Sequence, residues 1–164
     1  MSGQFANSEE EIISAIKSMQ PGRGDKPRTA AIKRILITLG RARGYEVCAS
    51  GFPGECEKEW LFDLVWYRNE PKEHLREIGL VLESEWSRDP FQIKYDFEKL
   101  LVAKSPIKVM LFRDDRDNLP ELWSLLEKGI RNFQPFQPLP AGEKYILAAY
   151  ENAKGAFSVR AVEV

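Results

Sequence analysis

Histidine is almost absent from this chain, and cysteine is scarce. The single histidine, His74, lies in the polar stretch "RNEPKEH" and reads as a solvated loop residue. That leaves little material for Ser-His or Cys-His catalysis. Two cysteines, Cys48 and Cys56, are too few for a zinc site even with His74 beside them. They read as structural residues that a reducing cytosol keeps as thiols. No apolar run approaches the ~20 residues of a membrane span. The N-terminal "MSGQFANSEEE" has neither a basic start nor an apolar segment, so no signal peptide is expected and the cytoplasm is the default setting. A strong net charge is missing too: the formal value is −1, which removes any whole-molecule signature of polyanion binding. There is no internal repeat and no low-complexity tract.

What is present suits one domain. The 164 residues can enclose a single substantial core, and 43% hydrophobic with 30% charged residues is ordinary for a globular protein. Charge is unevenly spread. From Lys17 to Arg43 there are eight basic residues (Lys17, Arg23, Lys26, Arg28, Lys33, Arg34, Arg41, Arg43) and one acid, Asp25. Acids gather at Glu9 to Glu11 and from Glu55 to Glu85. A basic flank beside an acidic centre suits a metal site that meets a phosphate chain. A solvated helix face would carry the same run.

Periodicity gives the order of elements. Ser8 with Glu11 three residues on looks like a capping box, and Ile12, Ile16 and Met19 follow at helical spacing. "QPGRGDKP" interrupts, and a second helix carries Ile32, Ile35, Leu36 and Leu39. "YEVCAS" reads as a strand, and "WLFDLVWY" as a strand apolar on both faces and so central. Ile78 to Trp86 is a third strand, and its short link to the second predicts antiparallel pairing. A helix follows from about Pro90 to Lys104, then the buried strand "IKVMLF". A helix from about Asn118 to Ile130, the proline-rich "NFQPFQPLPAG" and a terminal hairpin complete the chain. This α-α-β-β-β-α-β-α-β-β order predicts an α/β fold, a mixed sheet with helices on its faces.

The stretch "IGLVLESEW" raises the functional question. On a strand Glu83 and Glu85 share a face with Val81, about 7 Å apart at their Cα atoms, while Leu80, Leu82, Ser84 and Trp86 face the other way. Asp63 sits among the apolar residues of "WLFDLVWY" and can lie beside Glu83 or Glu85 if the strands pair. Carboxylates taken out of water must be paired, protonated or neutralised by a cation. Their hard oxygens suit Mg²⁺, Mn²⁺ or Ca²⁺. Sheet-edge acids solvated or paired with Arg34 or Arg41 are the plain alternative. Trp60, Trp66 and Trp86 read as packing residues.

"FDLVWY", "GLVLESEW", the helix "QIKYDFEKLLVAK" and the strand "IKVMLF" together resemble the core of the PD-(D/E)XK nuclease superfamily, the restriction-endonuclease-like fold. The resemblance covers about residues 28–113. It implies an α-β-β-β-α-β core, here followed by a C-terminal hairpin, with Asp63 and Glu83 as metal ligands and Mg²⁺ or Mn²⁺ as cofactor. It also implies hydrolysis of nucleic-acid phosphodiesters, DNA being favoured over RNA, and leaves a homodimer open. One position departs from the pattern. The family's usual lysine is Glu85 here, which makes Glu85 a third candidate ligand. Lys94 is then the candidate for a lysine moved to the following helix, with Lys99 as the other choice. An inactive relative that only binds nucleic acid or protein fits the same departure.

Overall fold

The structure, a computed structural model, describes residues 3–20, 22–52, 60–70, 74–114, 118–133 and 142–164, with side chains from Ser8 onward. Helices α1 (Gly3–Ser18) and α2 (Asp25–Ala42) precede strands β1 (Glu46–Ala49), β2 (Leu64–Asn69) and β3 (Leu75–Glu85). Then come α3 (Pro90–Val102), β4 (Ile107–Asp114), α4 (Leu119–Asn132), β5 (Lys144–Glu151) and β6 (Ala156–Glu163). Of the expected proline-rich loop at 132–142, Asn132 ends α4 and residues 134–141 lie outside the described residues, as does Cys56.

The strands form one sheet in the order β1-β2-β3-β4-β5-β6. β1 pairs antiparallel with β2, and β2 with β3. β3, β4 and β5 run parallel, joined through α3 and α4. β6 returns antiparallel to β5. The mixed α/β architecture expected from the sequence is present. The terminal hairpin is part of the sheet, because β5 has apolar residues for both faces and docks along β4.

Alternation along the strands builds two cores. Leu64, Trp66, Leu80, Leu82, Val109 and Leu111 meet Ile12 and Ile16 of α1 and Ile32 and Leu36 of α2. Val65, Val81, Met110, Phe112 and Leu147 meet Phe97 and Leu100 of α3 and Leu122 and Leu126 of α4. Each sheet face is thus covered by a helix pair. α3 starts where the sequence allows: Asp89 caps it by accepting from the Phe91 N–H at 3.0 Å, and Pro90 occupies the first turn, where no N–H is needed.

The capping box expected at Ser8 is not formed. Ser8 lies inside α1, and its hydroxyl accepts from Arg43 Nε at 2.9 Å, while Glu11 pairs with the same guanidinium. Arg43 at the end of α2 claims both residues of the motif. Cys48 also departs from expectation: it is buried and disulfide-bonded rather than a thiol.

Two glycines allow close approaches to the Tyr45–Trp66 stack, whose ring centroids are 5.7 Å apart. A Cβ on Gly40 would stand 2.6 Å from Trp66 Nε1, which donates to Leu36 O at 2.9 Å. A Cβ on Gly79 would stand 2.5 Å from Tyr45 Cζ. Gly40→Ala is expected to cost roughly 1–3 kcal/mol by forcing the indole off its acceptor. A urea-denaturation midpoint equal to that of the native chain would show that the stack yields freely.

Candidate carboxylate site at the end of the sheet

β3 places Glu83 and Glu85 on the α3 side, as the strand period predicts. Val81 of that face packs against α3, while Leu80 and Leu82 pack against α1 and α2. Glu83 is 5% exposed. Its Oε2 lies 3.4 Å from Lys99 Nζ, and its Oε1 is buried with no hydrogen-bond partner among the described residues. Burial pushes its carboxyl up to about 7; Lys99 pulls it down, and the charges of Asp63 and Asp96 push it up further. Lys99 offsets only part of the burial penalty, because its side chain is 40% exposed and its amine is shared with Asp96 at 2.7 Å. That sharing with Asp96 first, then the proximity of Glu83, raises the Lys99 amine above its usual range.

Glu85 is half-buried and accepts from the Ser87 N–H at 2.6 Å. Burial raises its pKa, and a hydrogen bond shared with the Asp96 carboxyl raises it further. Asp96, one turn before Lys99 on α3, therefore touches both halves of the cluster. Lys94 does not reach it: its amine pairs with Glu98 on the outer side of α3. Of the two helix lysines singled out from the sequence, Lys99 is the one at the carboxylates.

Asp63 is not within a strand. β2 begins one residue later, because Leu61 adopts φ 66 and Trp60 bridges back to Phe62. For a leucine that left-handed backbone is an outlier, of the kind that marks turns and strained sites. The break lets the Asp63 side chain take the place of the ladder. Its Oδ2 accepts from Ser84 N at 2.9 Å and Ser84 Oγ at 2.6 Å. Its Oδ1 accepts from Ser50 Oγ at 3.2 Å and Lys33 Nζ at 3.4 Å. Asp63 thus sits against the β3 backbone, held from the α2 side, while Glu83 points to the α3 side. The two charges still interact, since Asp63 helps to raise the Glu83 pKa.

Lys33 is the residue the sequence hid. It stands in the basic run as one solvated charge among many, yet it is 4% exposed. Its amine also donates to Ser50 Oγ at 2.7 Å and Ser50 O at 3.1 Å. A buried ammonium needs such partners. The basic run does supply a partner for Asp63, and it is Lys33.

The cluster therefore holds four carboxylates (Asp63, Glu83, Glu85, Asp96) and two ammoniums (Lys33, Lys99). Among the described residues, no group of three or more His, Cys, Asp or Glu side chains is placed to hold a metal ion. No protein-family model, curated protein or solved structure matches the chain. Among the described residues, no helix is long and apolar enough to cross a membrane.

Proposed function

We propose that the chain is a divalent-metal-dependent nuclease-like protein that hydrolyses phosphodiester bonds of nucleic acid. The observation that carries this reading is Glu83: a buried carboxyl, short of positive charge, with an inward oxygen that no donor among the described residues meets. That oxygen, with further acids on both sides of it, fits a hard cation such as Mg²⁺ or Mn²⁺. Glu83 would hold the ion with Glu85, and Asp63 would join as a third donor by turning its carboxylate away from Ser84 and Lys33. Bound there, the ion would polarise a phosphoryl oxygen and lower the pKa of a water molecule. Lys33 and Ser50 position Asp63, and the partly exposed Lys99 supplies positive charge where negative charge develops on a phosphoryl group.

One observation favours a second reading, a nuclease-fold module that binds without cleaving. Asp63 already spends all four of its acceptor directions on Ser84, Ser50 and Lys33, and Glu85 stands where a lysine would serve. The two readings separate in one set of measurements. Calorimetric titration with Mn²⁺ should show binding that raises the melting temperature, because an ion taken up only by the folded state stabilises it. Asp63→Ala should abolish that rise and any nicking of a DNA and RNA panel. Ion binding without nicking selects the binding module. An equal thermal response in the native chain and Asp63→Ala would place the ion elsewhere and end the metal reading.

A further inference from the structure

Two aromatic side chains of α3 stand in water. Phe91 is 77% exposed and Tyr95 67% exposed. They lie one turn apart on α3 and so share a face of that helix. Asp96 and Lys99, on the adjoining face, touch the acids of β3. The same end of the sheet receives the start of α2: Trp86 Nε1, just past β3, donates to Thr29 Oγ1 at 2.8 Å. Arg113 at the end of β4 pairs with Asp25 at 3.2 Å. These contacts bring the exposed Arg23 and Lys26 to the sheet end that carries Glu83. Exposed aromatics on one flank and exposed cations on the other make a surface for an anion with flat apolar groups.

We propose that this end of the sheet binds single-stranded nucleic acid, with phosphates held by Arg23 and Lys26 and unpaired bases stacked on Phe91 and Tyr95. The proposal rests on reading the site as one that acts on nucleic acid, and it narrows the substrate class. A duplex keeps its base faces inside its own stack and offers only phosphates and groove edges. An exposed ring can stack only on a base that is unpaired. A protein partner would find apolar surface here too, since Val102 continues the same side of α3 at 69% exposure. Arg23 and Lys26 complement a phosphate chain instead, and that decides for nucleic acid.

The test is fluorescence anisotropy with a labelled mixed-sequence oligonucleotide, single-stranded and as its duplex, in chelator so that nothing is cut. The single strand should bind more tightly than the duplex. Phe91→Ala/Tyr95→Ala should weaken single-strand binding roughly tenfold or more, the loss expected from base–aromatic stacking. Both side chains are exposed, so the variant should keep its melting temperature. Arg23→Gln/Lys26→Gln should weaken binding and flatten its salt dependence. Binding in chelator with no cleavage in Mn²⁺ would retire the hydrolytic reading and leave this one standing. Equal or tighter duplex binding, no binding, or unchanged binding by the aromatic variant would overturn it. So would sedimentation of the native chain as a dimer that the aromatic variant dissolves.

Discussion

Glu83→Gln should make the protein more stable than the native chain at pH 8, by roughly 1–3 kcal/mol, and should leave it nearly unchanged at pH 4. The sign follows from where the proton sits. The Glu83 carboxyl titrates near 7 in the folded chain against 4.5 for the free group. Below the lower value both folded and unfolded chains hold the proton, and nothing is lost. Between the two the folded chain holds more protons, so stability falls as pH rises. Above 7 the folded chain carries a buried carboxylate that, among the described residues, only Lys99 meets, and the whole penalty is present. The lower part of the range reflects solvent that reaches the pair along the Lys99 side chain, which is 40% exposed. Glutamine keeps the shape and an acceptor oxygen for Lys99, without the charge. Urea denaturation of both proteins at the two pH values measures the difference. Equal stability at pH 8 would mean that Glu83 ionises as it does in water, and the argument for a missing cation would go with it. Mn²⁺ should close the gap at pH 8 by stabilising the native chain and not Glu83→Gln.

The order of helices and strands was legible because it depends on periodicity, which is local. The faces of Glu83 and Glu85 were legible for the same reason, since a strand has period two and the apolar residues before them fix its phase. Asp63 was misplaced because the break at Leu61 leaves no mark in an apolar run: "WLFDLVWY" reads as continuous whether or not one residue turns left-handed. Lys33 was hidden because its partners Ser50 and Asp63 lie 17 and 30 positions away in the sequence. Its neighbours Ile32 and Arg34 point to a helix and say nothing of a partner. The capping box failed from the opposite cause, a good local signal overridden when Arg43 arrived from another helix. The choice of Lys99 over Lys94 was a matter of helix phase. Lys99 lies one turn and a half further along α3, on the side that returns to β3.

One large effect lies apart from the carboxylate site and has a faint sequence signal, a lysine inside the apolar strand "IKVMLF". Lys108 is fully buried on the α3–α4 side of β4. Its amine donates to the Glu143 carboxylate and to Tyr145 Oη at 3.0 Å. Glu143, just before β5, is 5% exposed. Burial lowers the Lys108 pKa, and the Glu143 carboxylate opposes that fall without cancelling it. The attraction between two such charges roughly repays their removal from water, so the pair adds little net stability, while either half alone is costly. Lys108→Met and Glu143→Gln should each cost about 3–5 kcal/mol. The double variant Lys108→Met/Glu143→Leu should lie close to the native chain or above it, a strong departure from additivity between contacting residues. The singles should also differ in pH response. With Glu143 neutral, the buried Lys108 amine sheds its proton more easily than the unfolded chain does. The stability of Glu143→Gln should therefore recover as pH rises from 7 towards 10. Lys108→Met should not recover over that range, because it lacks the amine whose deprotonation restores stability. Chemical denaturation of the four proteins at pH 7 and pH 10 measures both effects. Additive losses in the double variant would show that Lys108 and Glu143 are not coupled and that each packs against the core on its own account.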